Sequence, residues 1–157
     1  MDKTDPPESF GVFKPVGHTV IAFRDAAQAQ GATAALLALG VAGSALVRYS
    51  GPEMVAQVDA ELPQASPLAG FGHELSLIKA HRALAEVGCS FLVVYTPDDS
   101  DAERVTEVAR RFHAIVAQRY GRFVIEELIE PGRDDSEVFA ALDRGGSDAA
   151  ATLATAR

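Results

Sequence analysis

The chain has 157 residues, which suits a single domain with a hydrophobic core that needs neither metal nor disulfide bonds for stability. Hydrophobic residues make up 48% of the sequence and charged residues 23%, a composition typical of a globular protein in water. The net charge of −8 argues against a nucleic-acid partner, because such a protein needs a basic surface to neutralise phosphates.

The composition also indicates the cellular compartment. Cys89 is the single cysteine, so no intramolecular disulfide bond can form, which fits a reducing environment. The N-terminal residues carry acids and no apolar stretch, unlike a signal peptide. Residues 31–47 are uncharged and apolar, close to the lower length limit of a membrane span, but their glycines and alanines favour a buried helix that leads into a strand. We therefore predict a cytoplasmic protein without a membrane partner, with membrane contact by residues 31–47 as the alternative.

Composition divides the chain into three parts. Residues 1–15 hold three prolines and several charges and are predicted to be a flexible N-terminal arm. Residues 16–130 combine strand and helix patterns and are predicted to form a single α+β domain. The sequence then becomes acidic and rich in glycine, alanine and threonine, so residues 131–157 are predicted to be a mostly disordered tail.

The first half of the predicted domain reads as strand, helix, strand. Residues 17–23 form an apolar run typical of a strand. Asp25 is placed to cap the following helix, which is predicted to end at Gly40, because glycine readily takes the left-handed conformation found after helices. Residues 45–49 are predicted to be the second strand.

Two helices are predicted in residues 52–88. A capping pattern at Ser50–Glu53 opens the first helix. The second helix begins either after Ser66, where proline follows at the first helical position, or near Gly72, and it extends to Gly88. This segment is predicted to be an insertion between the second and third strands.

The second half repeats the strand, helix, strand order. Residues 90–95 form the third apolar strand. A capping box at Ser100–Glu103 opens a helix with one apolar stripe, predicted to end near Tyr120. Residues 122–126 are then predicted to be the fourth strand.

The charges of the strands predict their order in the sheet. The first and third strands are apolar at every position, whereas Arg48 lies in the second strand and Arg122 and Glu126 lie in the fourth. Charged strands belong at sheet edges, so the predicted fold is a ferredoxin-like βαββαβ sandwich with the sheet order 4-1-3-2. Central strands without polar positions also require cover on both faces of the sheet. Either the helical insertion or a second copy of the chain provides that cover, and the apolar stripes of the insertion favour the insertion.

Residues 17–50 and 90–128 share a strand, an acidic or hydroxyl cap and an alanine-rich helix, with a Leu-x-x-x-Gly-Val exit between Leu36 and Val41. This pattern resembles small bacterial general-stress and uncharacterised ferredoxin-like modules. It implies the ferredoxin-like fold, a bacterial source and a stress-related role. The helical insertion departs from the simplest form of these modules, and the resemblance assigns no catalytic residue.

The candidate binding residues lie on the second inserted helix. His73, Glu74, His81 and Arg82 are the residues on this helix that could form a binding site. His81 falls on the apolar stripe, where an imidazole can bind a metal or haem or act as a general base. The alternative is a histidine at the edge of the core that makes a structural hydrogen bond. The metal is unknown, since a metal site needs three or more convergent ligands and only Glu74 and His81 share a face.

Two classes of function fit these features. The favoured class is a non-catalytic regulatory or interaction module, with a protein partner, self-association as in a dimer, or a small ligand. The alternative is a metal-, haem- or small-ligand-binding protein, including an enzyme, with a pocket between the inserted helix and the sheet. The sequence contains no phosphate-binding loop, dinucleotide fingerprint or nucleophile elbow, and it identifies no cofactor.

Overall fold

The computed structural model describes residues 3, 8–9, 12–13, 16–61, 72–122, 124–130 and 132, without the side chains of residues 8–9, 12–13, 61 and 72–76. The predicted arm and the predicted tail therefore lie largely outside the described residues. The elements are, in chain order, β1 (Glu8–Ser9), β2 (Val12–Phe13), β3 (His18–Phe23), α1 (Ala26–Ala38), a 3-10 turn (Gly43–Ala45), β4 (Leu46–Tyr49), α2 (Gly51–Glu61), α3 (Gly72–Glu86), β5 (Ser90–Tyr95), α4 (Asp99–Arg111), β6 (Val116–Tyr120) and β7 (Ile125–Ile129).

An antiparallel sheet of five strands organises the protein, in the order β4-β5-β3-β6-β7. β3 lies at the centre, where Ile21 is opposite Leu92 of β5 on one side and Ala117 of β6 on the other. Both β3 and β4 run antiparallel to β5, so α1 connects two parallel strands that are separated by β5. β1 and β2 form a separate two-stranded pair.

The predicted ferredoxin-like sandwich with a four-stranded 4-1-3-2 sheet is wrong, because the sheet has five strands in a different order. The predicted fourth strand, at residues 122–126, overlaps a tight turn in which the Gly121 N–H donates to the Val124 carbonyl at 2.8 Å. The chain enters this turn from β6 and leaves it as β7. The hairpin of β6 and β7 therefore occupies the side of β3 where a single strand is predicted.

The fifth strand was missed because the last helix is shorter than predicted. α4 ends at Arg111 and not near Tyr120. His113 has a left-handed φ of 59°, and its N–H donates to the Arg110 carbonyl at 3.0 Å, which closes the helix. The apolar residues that follow fit either a helical stripe or a strand, and the hydrogen bonds offered by β3 make them a strand.

Local capping was predicted correctly for α1 and α2 and incorrectly for α4. The Asp25 carboxylate accepts from the Gln28 N–H at 2.9 Å, and Gly40 has a φ of 91° after the end of α1. Ser50 and Glu53 form the reciprocal capping box of α2. α4 is capped by Asp98, which accepts from the N–H of residue 101, and not by the predicted residue, Ser100.

α1 and α4 cover one face of the sheet. Ile21 and Phe23 of β3 and Leu92 of β5 point to this side and are fully buried. Leu36 of α1 and Val105 of α4 pack in the same cluster. The other face is covered by α2 and α3: Met54 and Leu84 pack in one cluster with Val20, Phe91 and residues of β4 and β6. The prediction that the inserted helices cover the second face is confirmed.

The membrane alternative concerned residues 31–47, which form the second half of α1, the 3-10 turn and the first strand residues of β4. Among the described residues, no helix has both the length and the hydrophobicity to cross a bilayer.

Candidate functional site

His81 lies inside the core and not on an accessible pocket wall. Only 4% of its surface is exposed, because α3 packs this side chain onto the sheet. Its Nε2 lies 2.8 Å from Oε1 of Gln118 on β6, and since an amide oxygen only accepts, the imidazole N–H donates. The ring meets Phe91 edge-on at a centroid distance of 5.9 Å. The hydrogen-bonded core histidine is therefore the arrangement that the structure contains.

The environment of His81 keeps its imidazole neutral. Burial lowers the pKa of His81 to about 4, and the hydrogen bond to Gln118 opposes this shift only in part. A neutral ring can hold the Gln118 amide in place. Because its Nε2 proton is committed to that amide, Nε2 is not available as a metal ligand or general base in this arrangement.

Arg82 points away from His81 and holds two helices together. Its guanidinium makes two hydrogen bonds to the Asp59 carboxylate of α2, at 2.6 and 3.1 Å, and a further one to Glu86 on its own helix. These bonds raise the pKa of Arg82 and lower the pKa of Asp59. The pairs are partly exposed to solvent, so their main effect is to orient α2 relative to α3.

The four predicted site residues do not combine into a described site. The backbone of His73 and Glu74 lies in the first turn of α3, but their side chains are outside the description. His81 faces the core, whereas Arg82 faces α2. Across the described part of the chain, no three histidine, cysteine or acidic side chains converge in a way that could hold a metal ion.

An open cleft of about 690 Å³ lies across the ends of several strands. Its walls include Val16, Tyr120 and Val124, together with Arg119 and Arg122. The Arg119 guanidinium donates to Asp99 at 2.6 Å, so an internal carboxylate already neutralises part of the positive charge. Glu126 also lines the cleft, so it carries charges of both signs, and these do not identify a ligand.

A second groove, of about 520 Å³, lies between α4 and β7. Its acidic side chains include Glu103 and Glu107 of α4 and Glu126 and Glu127 of β7. The Arg110 guanidinium in this groove donates to a backbone carbonyl of β7 at 3.0 Å. Arg119 also lines the groove, and the full lining has five acidic residues against two arginines. The groove is therefore acidic, which makes this side of the protein unfavourable for contact with another acidic surface.

The exposed face of α1 differs from both of these surfaces, because it carries no charge. The exposed residues of this helix are Ala26, Ala27, Gln30, Ala34, Leu37 and Ala38. Leu37 is 45% exposed, and Leu39, just beyond the helix, is 51% exposed. We refer to the six exposed helix residues as the α1 face. Leu39 is not part of it, because its spacing of three from Leu36 and seven from Ala32 places it toward the buried side of the helix. A helix that covers a sheet normally presents charged residues to water, whereas the exposed residues of this helix are four alanines, one glutamine and one leucine.

Sequence reasoning did not identify the α1 face, although the sequence contains a signal for it. No charged residue occurs between Asp25 and Arg48. Within this interval, residues 31–47 fit either a buried helix that leads into a strand or a membrane contact, and neither alternative predicts a helix with an exposed uncharged face. The structure shows that the side of the helix with Ala29, Ala32 and Leu36 is buried, while the opposite side is exposed.

Comparisons with protein families, curated proteins and solved structures found no match to this chain. The resemblance to general-stress modules is therefore not supported by a matching relative, and no residue role is taken from another protein.

Proposed function

We propose that this protein is a non-catalytic interaction module and that the α1 face is its contact surface. The observation that carries the proposal is the exposure of Leu37 on a helix without a charged residue. Isolated apolar residues are common on protein surfaces, but a whole uncharged helix face is favourable to bury against another apolar surface.

The environments of His81 and Arg82 support this proposal over the alternative ligand-binding role. Nε2 of His81 and the Arg82 guanidinium are engaged with partners inside the fold, at Gln118 and at Asp59. A metal or haem bound through Nε2 of His81 would have to break the 2.8 Å hydrogen bond to Gln118 and open the packing against Phe91. The interaction role requires no such rearrangement.

One introduced thiol can test whether a partner covers the α1 face. Cys89 is buried, so an Ala34→Cys variant has a single accessible thiol, on the α1 face. In cells that produce the protein, we expect a maleimide reagent to label this variant several-fold more slowly than a matched Glu103→Cys variant, whose thiol lies on the exposed side of α4. Equal labelling rates of the two folded variants would contradict the proposal.

The ligand-binding alternative has its own test. The full-length protein and a His81→Gln variant are incubated with zinc, with haem or with neither, and their melting temperatures are compared. The interaction role predicts no stabilisation that depends on His81. A rise in melting temperature that is present in the native chain and lost in the variant would favour the alternative.

A further inference from the structure

We infer that the partner of the α1 face is a second copy of this chain, in a two-fold symmetric contact. This inference rests on the proposed interaction role and names the partner of that surface. In a two-fold contact the same patch must be complementary to itself. The uncharged α1 face meets this condition, because apolar residues attract each other in either orientation.

The distribution of charge selects this face over other surfaces. Two copies with a net charge of −8 repel each other, most strongly where their acidic residues meet. A two-fold contact through the groove between α4 and β7 would bring Glu103 and Glu126 of both copies together. The α1 face itself contributes no acidic residue to a two-fold contact, since no charged residue occurs between Asp25 and Arg48.

The side chains of the α1 face suit close packing between two helices. Ala26, Ala34 and Ala38 are small, which allows the two helix axes to approach to about 8–10 Å. Leu37 provides the larger apolar group that such a contact buries. We therefore place the crossing point of the two helices near Ala34, at the middle of the exposed row.

The same residues disfavour a membrane as the partner. Helices that lie on a bilayer surface combine large apolar side chains with lysine and arginine, and aromatic residues anchor them at the interface. The segment between Asp25 and Arg48 contains no lysine, arginine or aromatic residue. The acidic chain would also be repelled by anionic lipids.

Disulfide trapping tests the geometry of the contact. Purified full-length Ala34→Cys protein is exposed to mild oxidation, and covalent dimer is quantified on a non-reducing gel. A crossing near Ala34 predicts at least about tenfold more covalent dimer than from Glu103→Cys, because only the α1 thiols would face each other across the two-fold axis. Equal amounts of dimer from the two variants would overturn the inference.

Sedimentation velocity tests the energetics without a crosslink. We expect the native chain to show a concentration-dependent dimer and Leu37→Glu to raise its dissociation constant by about tenfold or more, because the substitution places acidic charges in an apolar contact. Val124→Glu is the matched control: Val124 is 70% exposed and lies at the strand-end cleft. Near-ultraviolet circular dichroism verifies that each variant is folded. A native chain that is monomeric at all concentrations, or an equal effect of the control, would overturn the inference.

A mixing experiment provides a second measurement. Leu37→Glu and Leu37→Lys are each expected to associate weakly alone, whereas an equimolar mixture should regain association, because opposite charges then meet across the contact. A folded mixture that stays monomeric would contradict a contact between two α1 faces.

The outcomes separate this inference from the proposed function. Protection of the Ala34→Cys thiol in cells, combined with fast labelling of the purified protein at every concentration, would overturn self-association and retain a different protein partner. Fast labelling in both settings would overturn both proposals.

Discussion

The imidazole of His81 donates a hydrogen bond of 2.8 Å to the Gln118 side chain, and both residues are almost completely buried. This contact joins α3 to β6 across the core. It also gives the central histidine of the predicted ligand site a structural partner. Several consequences of this and of neighbouring contacts can be measured.

The first prediction concerns the two partners in this hydrogen bond. His81→Leu or Gln118→Leu should each lower the free energy of unfolding by about 1–3 kcal/mol, because each leaves one buried polar group without its partner. The double variant should cost less than the sum of the single variants, since both polar groups are then removed. Urea unfolding of the four proteins measures this coupling. Strictly additive losses would show that the hydrogen bond contributes nothing to stability.

The second prediction concerns pH. Burial lowers the pKa of His81 from 6.5 to about 4. Between these values the unfolded chain takes up a proton that the folded chain does not. The contribution of His81 therefore makes stability fall as the pH is lowered from about 6.5 to about 4, and this contribution is constant below that range. The total loss from this group should be on the order of 3 kcal/mol.

A His81→Gln variant is the control for the pH effect, because it removes the titrating group. The Glu53 carboxylate titrates at lower pH, because hydrogen bonds from Lys3 and from the Ser50 backbone lower its pKa from 4.5 to about 2. The contribution of Glu53 to stability is therefore lost only as the pH falls from about 4.5 to about 2. Denaturant titrations at intervals between pH 7 and pH 4 measure the free energy of unfolding at each pH. The fall between about pH 6.5 and 4 should occur in the native chain and be absent from the variant. An identical slope in both proteins would contradict the assignment to His81.

The third prediction concerns the close approach of α2 and α3. A methyl group at Gly51 would overlap the Ala85 carbonyl oxygen, which is backbone and cannot rotate away. Gly51→Ala should therefore destabilise the protein by about 1–3 kcal/mol. Gly43→Ala is the matched control, because no atom lies within 4 Å of the added carbon there. Thermal unfolding compares the two, and equal melting temperatures would show that the two helices can separate at no cost.

The fourth prediction concerns the bond between Arg82 and Asp59. Arg82→Ala should cost about 1 kcal/mol or less, since these groups are partly exposed and water screens their attraction. Arg82→Lys should recover only part of the loss, because lysine cannot make two parallel hydrogen bonds to one carboxylate. Arg104→Ala removes a longer pair, at 3.8 Å to Asp101, and should have a smaller effect. A loss at Arg104 as large as that at Arg82 would contradict the role assigned to the α2–α3 contact.

The sequence predicted the features that depend on neighbouring residues. The caps at Asp25 and Ser50 are hydrogen bonds to residues three positions later, so their residue types and spacing were sufficient. The apolar central strands also predicted correctly that both faces of the sheet are covered, because an apolar residue exposed at every second position would be unfavourable. For the same reason the inserted helices were correctly placed on the second face.

Other features depended on contacts between distant parts of the chain. Residues 116–120 have a pattern that fits a helix or a strand, and only the backbone groups of β3 decide between these states. The partner of His81 is 37 residues away in sequence, so periodicity could place this histidine on an apolar stripe but could not show whether it met a ligand or Gln118. The α1 face also depends on both levels. The sequence determined that residues 26–47 carry no charge. Only the packing of α1 on the sheet decided which residues of the helix are buried and which are exposed. Local hydrogen bonds and hydrophobic periodicity can be read from the chain itself, whereas the partner of each buried or exposed side chain is decided only when the elements pack together.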